Sequence, residues 1–315
     1  MSVLTARLLK PELMDNADAA EAAVCLRDLA RINRWFGGHR VLVQTLQTLL
    51  QPGAHSQTFM AAQGRSGPTQ CEKPKPFPPR QAPLRRFWRA AQGRSGPPQC
   101  EKPKPVPPRQ APLRRFWRQR FLAAFHLAPV SQERFSMLDV GAASGDMGRT
   151  IRGRFPGATV VSLDYRPSHL RLGQGPRVAA DAFQLPFRPR SFDFVLCSLF
   201  LHHFSDSQVV ELIAALRQIA GKALIVLDLE RHPFPYHFLP ATRRLLRWSP
   251  MTVHDGVISV GAAFRPAEIL ALVRASGGPP VRVRRHLPWF RLSAVIPAEE
   301  NPAVLRPIKC EGGTQ

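Results

Sequence analysis

Apolar residues recur along this chain with two different periods. Over 17–36 (ADAAEAAVCLRDLARINRWF), Val24, Leu26, Leu29, Ile32 and Trp35 fall near one face of a helix, and Gly37-Gly38 stops it. Residues 39–50 (HRVLVQTLQTLL) predict a second amphipathic helix, ended by Pro52-Gly53, and 118–126 a third. From 136 onwards short apolar runs alternate with helical spacing. Strands are expected at 136–140, 159–163, 177–180, 192–198 and 223–229. Helices are expected at 146–155, at 205–220 with Ser205 as N-cap, in an insertion over 234–249, and at 265–276 with a proline at its start. Two last strands, 281–287 and 290–296, flank Pro288-Trp289. This alternation predicts an α/β fold: a doubly wound, Rossmann-like, mostly parallel sheet with an N-terminal helical region. Ligands of such sheets bind outside the carboxyl ends of the strands.

The 315 residues are 44% hydrophobic, enough for a sizeable core, and no apolar run reaches the roughly 18 residues of a membrane span. Met1 to Met14 shows no apolar core or small-residue cleavage site, so no signal peptide is expected and a cytoplasmic location is read. The five cysteines (Cys25, Cys71, Cys100, Cys197, Cys310) are scattered without a C-x-x-C pair. That argues against a disulfide scaffold or zinc ribbon and for a reducing compartment.

The net charge of +22 and the 32 prolines change the picture at one place. Residues 61–89 (AAQGRSGPTQCEKPKPFPPRQAPLRRFWR) recur as 90–118, differing only at Thr69 against Pro98 and Phe77 against Val106. The two copies hold 10 Arg, 4 Lys, 2 Glu and 13 prolines, so more than half of the net charge lies there. Two units this rich in Pro and charge cannot stack a core, and KPKPFPP favours polyproline II. The plain reading is a duplicated, disordered insert. The sharper one is a basic arm placing Phe87, Trp88, Phe116 and Trp117 against nucleic acid or anionic lipid. The expected organisation is a helical cap at 1–60, the repeat at 61–118, the sheet domain at 119–297 and a tail at 298–315.

Chemistry gathers at the strand ends. Leu138-Asp139-Val140-Gly141-Ala142-Ala143-Ser144-Gly145 runs a strand into a small-residue turn and a helix, which lets backbone approach a ligand and offers free amides. Asp164 ends the second strand, where a carboxylate can accept both hydroxyl hydrogens of a ribose. Asp181-Ala182-Phe183 ends the third, where a carboxylate and amides can read an adenine edge. Cys197-Ser198-Leu199 and then His202-His203 end the fourth, where a substrate would sit. The turn lacks the G-x-G-x-x-G of a dinucleotide site, with glycines at 141, 145 and 148, and so suits a nucleoside without pyrophosphate better than NAD.

Together MLDVGAASGD, VVSLDY, ADAFQLPFRPRSFDFVLCSLFLHHF and ALIVLDLERH closely resemble the class I S-adenosylmethionine-dependent methyltransferases, in the broad group that includes ubiquinone and menaquinone biosynthesis enzymes. The resemblance spans 137–230 best. It implies seven strands with a reversed final hairpin, and S-adenosylmethionine as cofactor. It implies that Asp139, Gly141, Ala142 and Gly145 line the methionine end, that Asp164 holds the ribose with Tyr165 beside the adenine, that Asp181 and Ala182 face the adenine, and that Ser198 lies near the reacting centre. Ala143 stands where the family usually has glycine; alanine calls for an ordinary φ and adds a methyl near the cofactor.

The function expected is methylation of a small phenolic, quinone-like or lipid-like acceptor at oxygen or carbon, in a pocket built by the helical start and residues 234–260. The alternative is an RNA- or protein-directed methyltransferase, or a non-catalytic binder, recruited through the basic repeat. Where an acceptor must lose a proton, His254, His202 and His203 are the candidate bases, since imidazole titrates near neutrality. His254-Asp255 is expected in a loop after the helical insertion and is slightly favoured. Arg231 and His232 either bind an acidic group or face solvent. No H-E-x-x-H, paired zinc ligands or nucleophile elbow is present, so no metal site is expected.

Overall fold

The computed structural model describes Leu4, residues 6–51 and residues 131–299. The repeat at 61–118, the helix expected at 118–126 and nearly all of the 298–315 tail lie outside the described residues. Among those described, a short 3₁₀ turn (Leu13–Asn16) precedes helices α1 (Ala19–Trp35) and α2 (Gly38–Leu50). Then follow β1 (Phe135–Val140), α3 (Asp146–Arg154), β2 (Ala158–Asp164), α4 (Pro167–Leu170), β3 (Arg177–Ala179) and β4 (Phe192–Ser198). After a 3₁₀ turn at Leu201–His203 come α5 (Asp206–Ile219), β5 (Ala220–Leu229), α6 (Pro233–Leu246), α7 (Pro250–Ala262), α8 (Pro266–Ala275), β6 (Val283–His286) and β7 (Arg291–Pro297).

The seven strands form one sheet in the order β3-β2-β1-β4-β5-β7-β6. β1 to β5 run parallel, β7 runs against them, and β6, antiparallel to β7, runs with them again. Order reverses beside β1, so its carboxyl end opens into the crevice where such sheets take ligands. Helices cover both faces, which is why the central strands are apolar on both sides. Leu138, Val140, Val195, Leu224 and Val226 pack with Leu212 and Leu216 of α5 and Ile269 and Val273 of α8. Met137, Phe194, Leu196 and Ile225 pack with Ile151 and Phe155 on one side and with Leu42 and Leu46 of α2 on the other. The helical cap expected at 1–60 therefore supplies, through α2, a layer of the sheet's own core.

α1 is fixed to the last hairpin. Arg291 donates from Nε to the Phe36 carbonyl at 3.0 Å and from Nη2 to Asn33 Oδ1 at 3.0 Å. Gly37, in the left-handed region at φ 80, has the Trp289 ring 2.4 Å from where a Cβ would stand. Burial holds the Arg291 pKa down at about 10, against the upward pull of Asp228 and Asp146.

Two sequence expectations need correction. The loop expected around His254-Asp255 is helix α7. Ser249 caps it by accepting the Thr252 amide at 3.0 Å, and buried Asp28 of α1 accepts the Ser249 amide at 2.8 Å and Thr252 Oγ1 at 3.1 Å. A tertiary cap thus overrides the weak propensity of its Gly, Val and Thr residues. Arg231 neither faces solvent nor waits for an acidic ligand. It is buried, donating to the carbonyls of Leu4 and Ala263 and paired with Glu268.

Candidate functional site

A cavity of about 860 Å³ opens at the carboxyl ends of β1, β2 and β4, roofed by the N-terminal segment, α1, α6 and α7. Its floor is the turn after β1. Gly141 (φ 68) and Gly145 (φ 66) adopt left-handed backbone there, and so does Ala143, at φ 47. The expectation of an ordinary φ at Ala143 is thus overturned. The turn takes its shape from contacts that do not consult the side chain: the Ala142 amide donates to Leu163 O at 2.9 Å, and the Ala143 amide to Asp164 Oδ2 at 2.8 Å. Left-handed backbone at a non-glycine residue costs about 1–2 kcal/mol. At Gly141 no Cβ fits, because the Phe200 ring lies 2.2 Å from where it would stand.

Asp139, at the end of β1, is almost fully buried and lines the cavity. One carboxylate oxygen has no partner. Burial pushes its pKa up to about 7, against the lowering effect of the Gly148 amide. A buried carboxylate oxygen without a donor is costly unless a ligand supplies one. Asp164 accepts two backbone amides, from Ala143 and from Arg166 at 2.9 Å, which leaves carboxylate lone pairs for further donors. Asp181 accepts the Phe183 amide at 2.9 Å. Ser198 Oγ is buried without a partner. Gly141, Ala142, Asp164, Tyr165, Asp181, Ala182 and Ser198 all border the cavity; Gly145 stands behind it as the N-cap of α3.

At the far end lie His202 and His203, stacked with ring centroids 4.4 Å apart. His202 Nδ1 is 2.6 Å from Asp228 Oδ1, and both side chains are buried. Burial would lower the His202 pKa, but the charge and hydrogen bond of Asp228 outweigh it and the pKa is raised. His203 faces the cavity. Its side chain stays exposed to the open cavity, and the protein packed around it, with the charge of His202, lowers its pKa. His254 is not brought to the cavity. It is half-exposed on α7, with Nδ1 2.9 Å from Asp255. His232 caps α6, accepting the Phe234 amide at 3.1 Å, and stacks on Phe290 at 4.4 Å.

The roof is drawn in large part from the helical start and residues 234–260, but the sequence did not single out its side chains. Glu12, Phe200, Phe234, Phe238, Trp289 and Phe290 line the cavity. Of these only Glu12 sits in a segment that carried no signal. Asp146 was also missed: it joins α3 to the cap through His39 Nε2 at 2.7 Å and Asn33 Nδ2 at 3.3 Å.

Comparisons with known proteins return methyltransferases. Residues 138–235 match the model of the methyltransferase domain family. Demethylmenaquinone methyltransferase of Thermotoga maritima is 32% identical over 79 residues, covering 24% of this chain and 34% of that protein. The chain thus spans about a third of the length of the curated relative that it matches. Solved structures include an O-methyltransferase from Nostoc punctiforme (19% identity, 52% of each chain, TM-score 0.40). Human N-acetylserotonin methyltransferase in complex with S-adenosylmethionine aligns with 14% identity over 53% of this chain and 48% of that one, at TM-score 0.39.

Proposed function

From the class I methyltransferase domain that residues 138–235 carry, we propose that this protein is an S-adenosylmethionine-dependent methyltransferase acting on a small phenolic, quinone-like or lipid-like acceptor at oxygen or carbon. The observation that carries the reading is the partnerless Asp139 carboxylate oxygen at the floor of the cavity, in line with Asp164 and Asp181 at the next two strand ends. When bound, S-adenosylmethionine supplies a methyl group made electrophilic by its sulfonium.

Asp139 meets the cationic methionine end. Asp164 accepts ribose hydroxyls with the lone pairs that its two amides leave free. Asp181 and the backbone at Ala182 face the adenine, and Ser198 lies towards the reacting centre. The wall of Phe200, Phe234, Phe238, Trp289 and Phe290 excludes water and holds a flat apolar acceptor against the methyl group. Positioning supplies most of the rate of such an in-line displacement. A neutral His203, beyond Ser198, is the imidazole that can take an acceptor proton. The quinone-like acceptor class draws on the relative from Thermotoga maritima, whose name is demethylmenaquinone methyltransferase.

The test is calorimetry with S-adenosylmethionine, followed by transfer of labelled methyl from it into a metabolite extract and into defined phenols and quinols. Micromolar binding with label in a small lipophilic product is expected. Tight binding of NAD instead, or label only in RNA or protein, overturns the reading.

A further inference from the structure

Glu12, His202 and His203 bring one ligating atom each to within 4.8 Å of one another. Glu12 reaches the imidazoles from the N-terminal segment and is 6% exposed. Glu12 forms no ion pair with either imidazole, although His202–Asp228, His39–Asp146 and His254–Asp255 close to 2.6, 2.7 and 2.9 Å. The three groups surround a gap instead of closing it.

His202 is oriented by a partner on its other side. Asp228 holds His202 through Nδ1, which leaves Nε2 to offer its lone pair. A carboxylate or carbonyl behind a histidine is the arrangement that orients metal-ligating imidazoles. The charge balance also favours a cation. Asp228, Asp255 and Asp15 lie around Glu12 and His202, and Ser259 Oγ donates to one oxygen of Glu12, leaving the other for a cation. Arg7, the cation near His202, is committed to Asp206 and to the carbonyls of Phe204 and Ala262.

We propose that Glu12, His202 and His203 bind a divalent first-row cation of the zinc type at the acceptor end of the cavity, with a hydroxyl of the acceptor as its next ligand. Two imidazoles and a carboxylate form a donor set that such ions favour, with an open position left over. Its catalytic role rests on the methyl-transfer reading above; its binding does not. The acceptor O–H ionises against the cation and its proton passes to water. The oxygen lone pair forms the O–CH₃ bond as the C–S bond breaks, and that electron pair stays on sulfur. In this state the imidazoles are ligands and take no proton. The acceptor class narrows to molecules with an ionisable hydroxyl, such as phenols and enols.

The test uses full-length protein stripped with a chelator and titrated with Co²⁺, followed by its visible d–d absorption, with Zn²⁺ as competitor. One equivalent should bind, Zn²⁺ should bleach the band, and Glu12→Gln and His203→Ala should each weaken binding at least tenfold. Asp228→Asn should weaken it about 10–100-fold without removing a ligand. A thermal melt shows that each variant is folded, and Glu12→Gln serves if His202→Ala is not. The absence of a band, or a band that Glu12→Gln and His203→Ala leave unchanged, overturns the site. S-adenosylmethionine calorimetry on the same stripped protein separates the two readings. Donor binding without Co²⁺ binding removes the cation alone, and Co²⁺ binding without donor binding removes the methyltransferase reading alone.

Discussion

Asp164 Oδ2 accepts the backbone amide of Ala143 at 2.8 Å, so the carboxylate at the end of β2 holds the turn that follows β1. With Arg166 on its other oxygen at 2.9 Å, the side chain serves as a post for two backbone segments before any ligand arrives. Asp164→Ala should therefore lose stability and affinity together. Losing the ribose hydrogen bonds to this charged acceptor should cost about 2–4 kcal/mol in total, which predicts roughly 30–1000-fold weaker S-adenosylmethionine binding. Calorimetry and a thermal melt on one preparation check both. Unchanged affinity would move the ribose elsewhere.

Ala143→Gly should stabilise the protein. At φ 47 the alanine carries left-handed strain that glycine does not. Relief of about 1 kcal/mol corresponds to a rise of about 2–4 °C in Tm for a domain of this size. Donor affinity should hold or improve, since a methyl group leaves the floor of the cavity. A fall in Tm on this substitution would mean that the side chain packs favourably and that the turn is not strained.

Gly141→Ala should do the opposite, because it meets both a left-handed φ and the Phe200 ring 2.2 Å away. Stability and donor binding should both drop, and Phe200→Ala in the same chain should recover part of the loss. The two effects are coupled because the residues touch. Simple additivity in a double-mutant cycle would show that backbone strain alone is responsible.

These cases mark what could be seen in the sequence. The small-residue turn, Asp139, Asp164, Asp181 and Ser198 were legible because each follows a short apolar run at a strand end, and the fold places strand ends together. The count of seven strands and an antiparallel element at the last hairpin followed from the resemblance; the strand order, and that only β7 is reversed, came from the structure. Glu12 and Asp228 were not legible as site residues. Asp228 sits inside an apolar strand, and only its partner His202, 26 residues earlier, gives it meaning. Glu12 lies in a segment without periodicity, fixed by Asp255, which accepts the Leu13 and Met14 amides at 2.8 and 3.0 Å. The strain at Ala143 escaped because local residue preference gave no sign that Asp164 would pin the amide.

Asp139 predicts how stability and binding depend on pH. Its folded pKa, about 7, is raised above the usual aspartate value of about 3.9. The folded state therefore prefers the protonated form. Its contribution is fully present below about pH 4 and is lost as the pH rises through 7. Asp139→Asn should accordingly gain more stability at pH 8 than at pH 4. A cationic ligand end prefers the ionised form, so S-adenosylmethionine should bind more tightly as the pH rises to about 7 and release a proton at pH 6. Calorimetry in two buffers of different ionisation enthalpy measures that proton. Its absence would separate Asp139 from the ligand.

His254 and His203 should part company in kinetics. His254 is half-exposed on α7 and does not border the cavity, so His254→Ala should keep turnover within about twofold. His203→Ala removes either a proton acceptor or a cation ligand and should cost about 10²–10⁴ in kcat. The reverse ranking would restore His254 as the base and require α7 to rotate towards the acceptor.

The repeat at 61–118 should be dispensable for the cavity. Its composition cannot form a core, and the described chain leaves α2 at Gln51 and resumes at Ser131, ahead of β1. Excision leaves 52–60 and 119–130 to join these points, and the entropy of a connection changes only slowly with its length. The shortened protein should bind S-adenosylmethionine with the parent's affinity and melt within a few degrees of it. Fourteen basic side chains leave with the segment. If they form a nucleic-acid arm, the parent should bind RNA or DNA with an affinity that falls steeply with salt, and the shortened chain should not. If the parent shows no such affinity at physiological salt, the repeat is a spacer. Loss of folding on excision would place the RRFWR segments inside the methyltransferase unit and redraw its boundary.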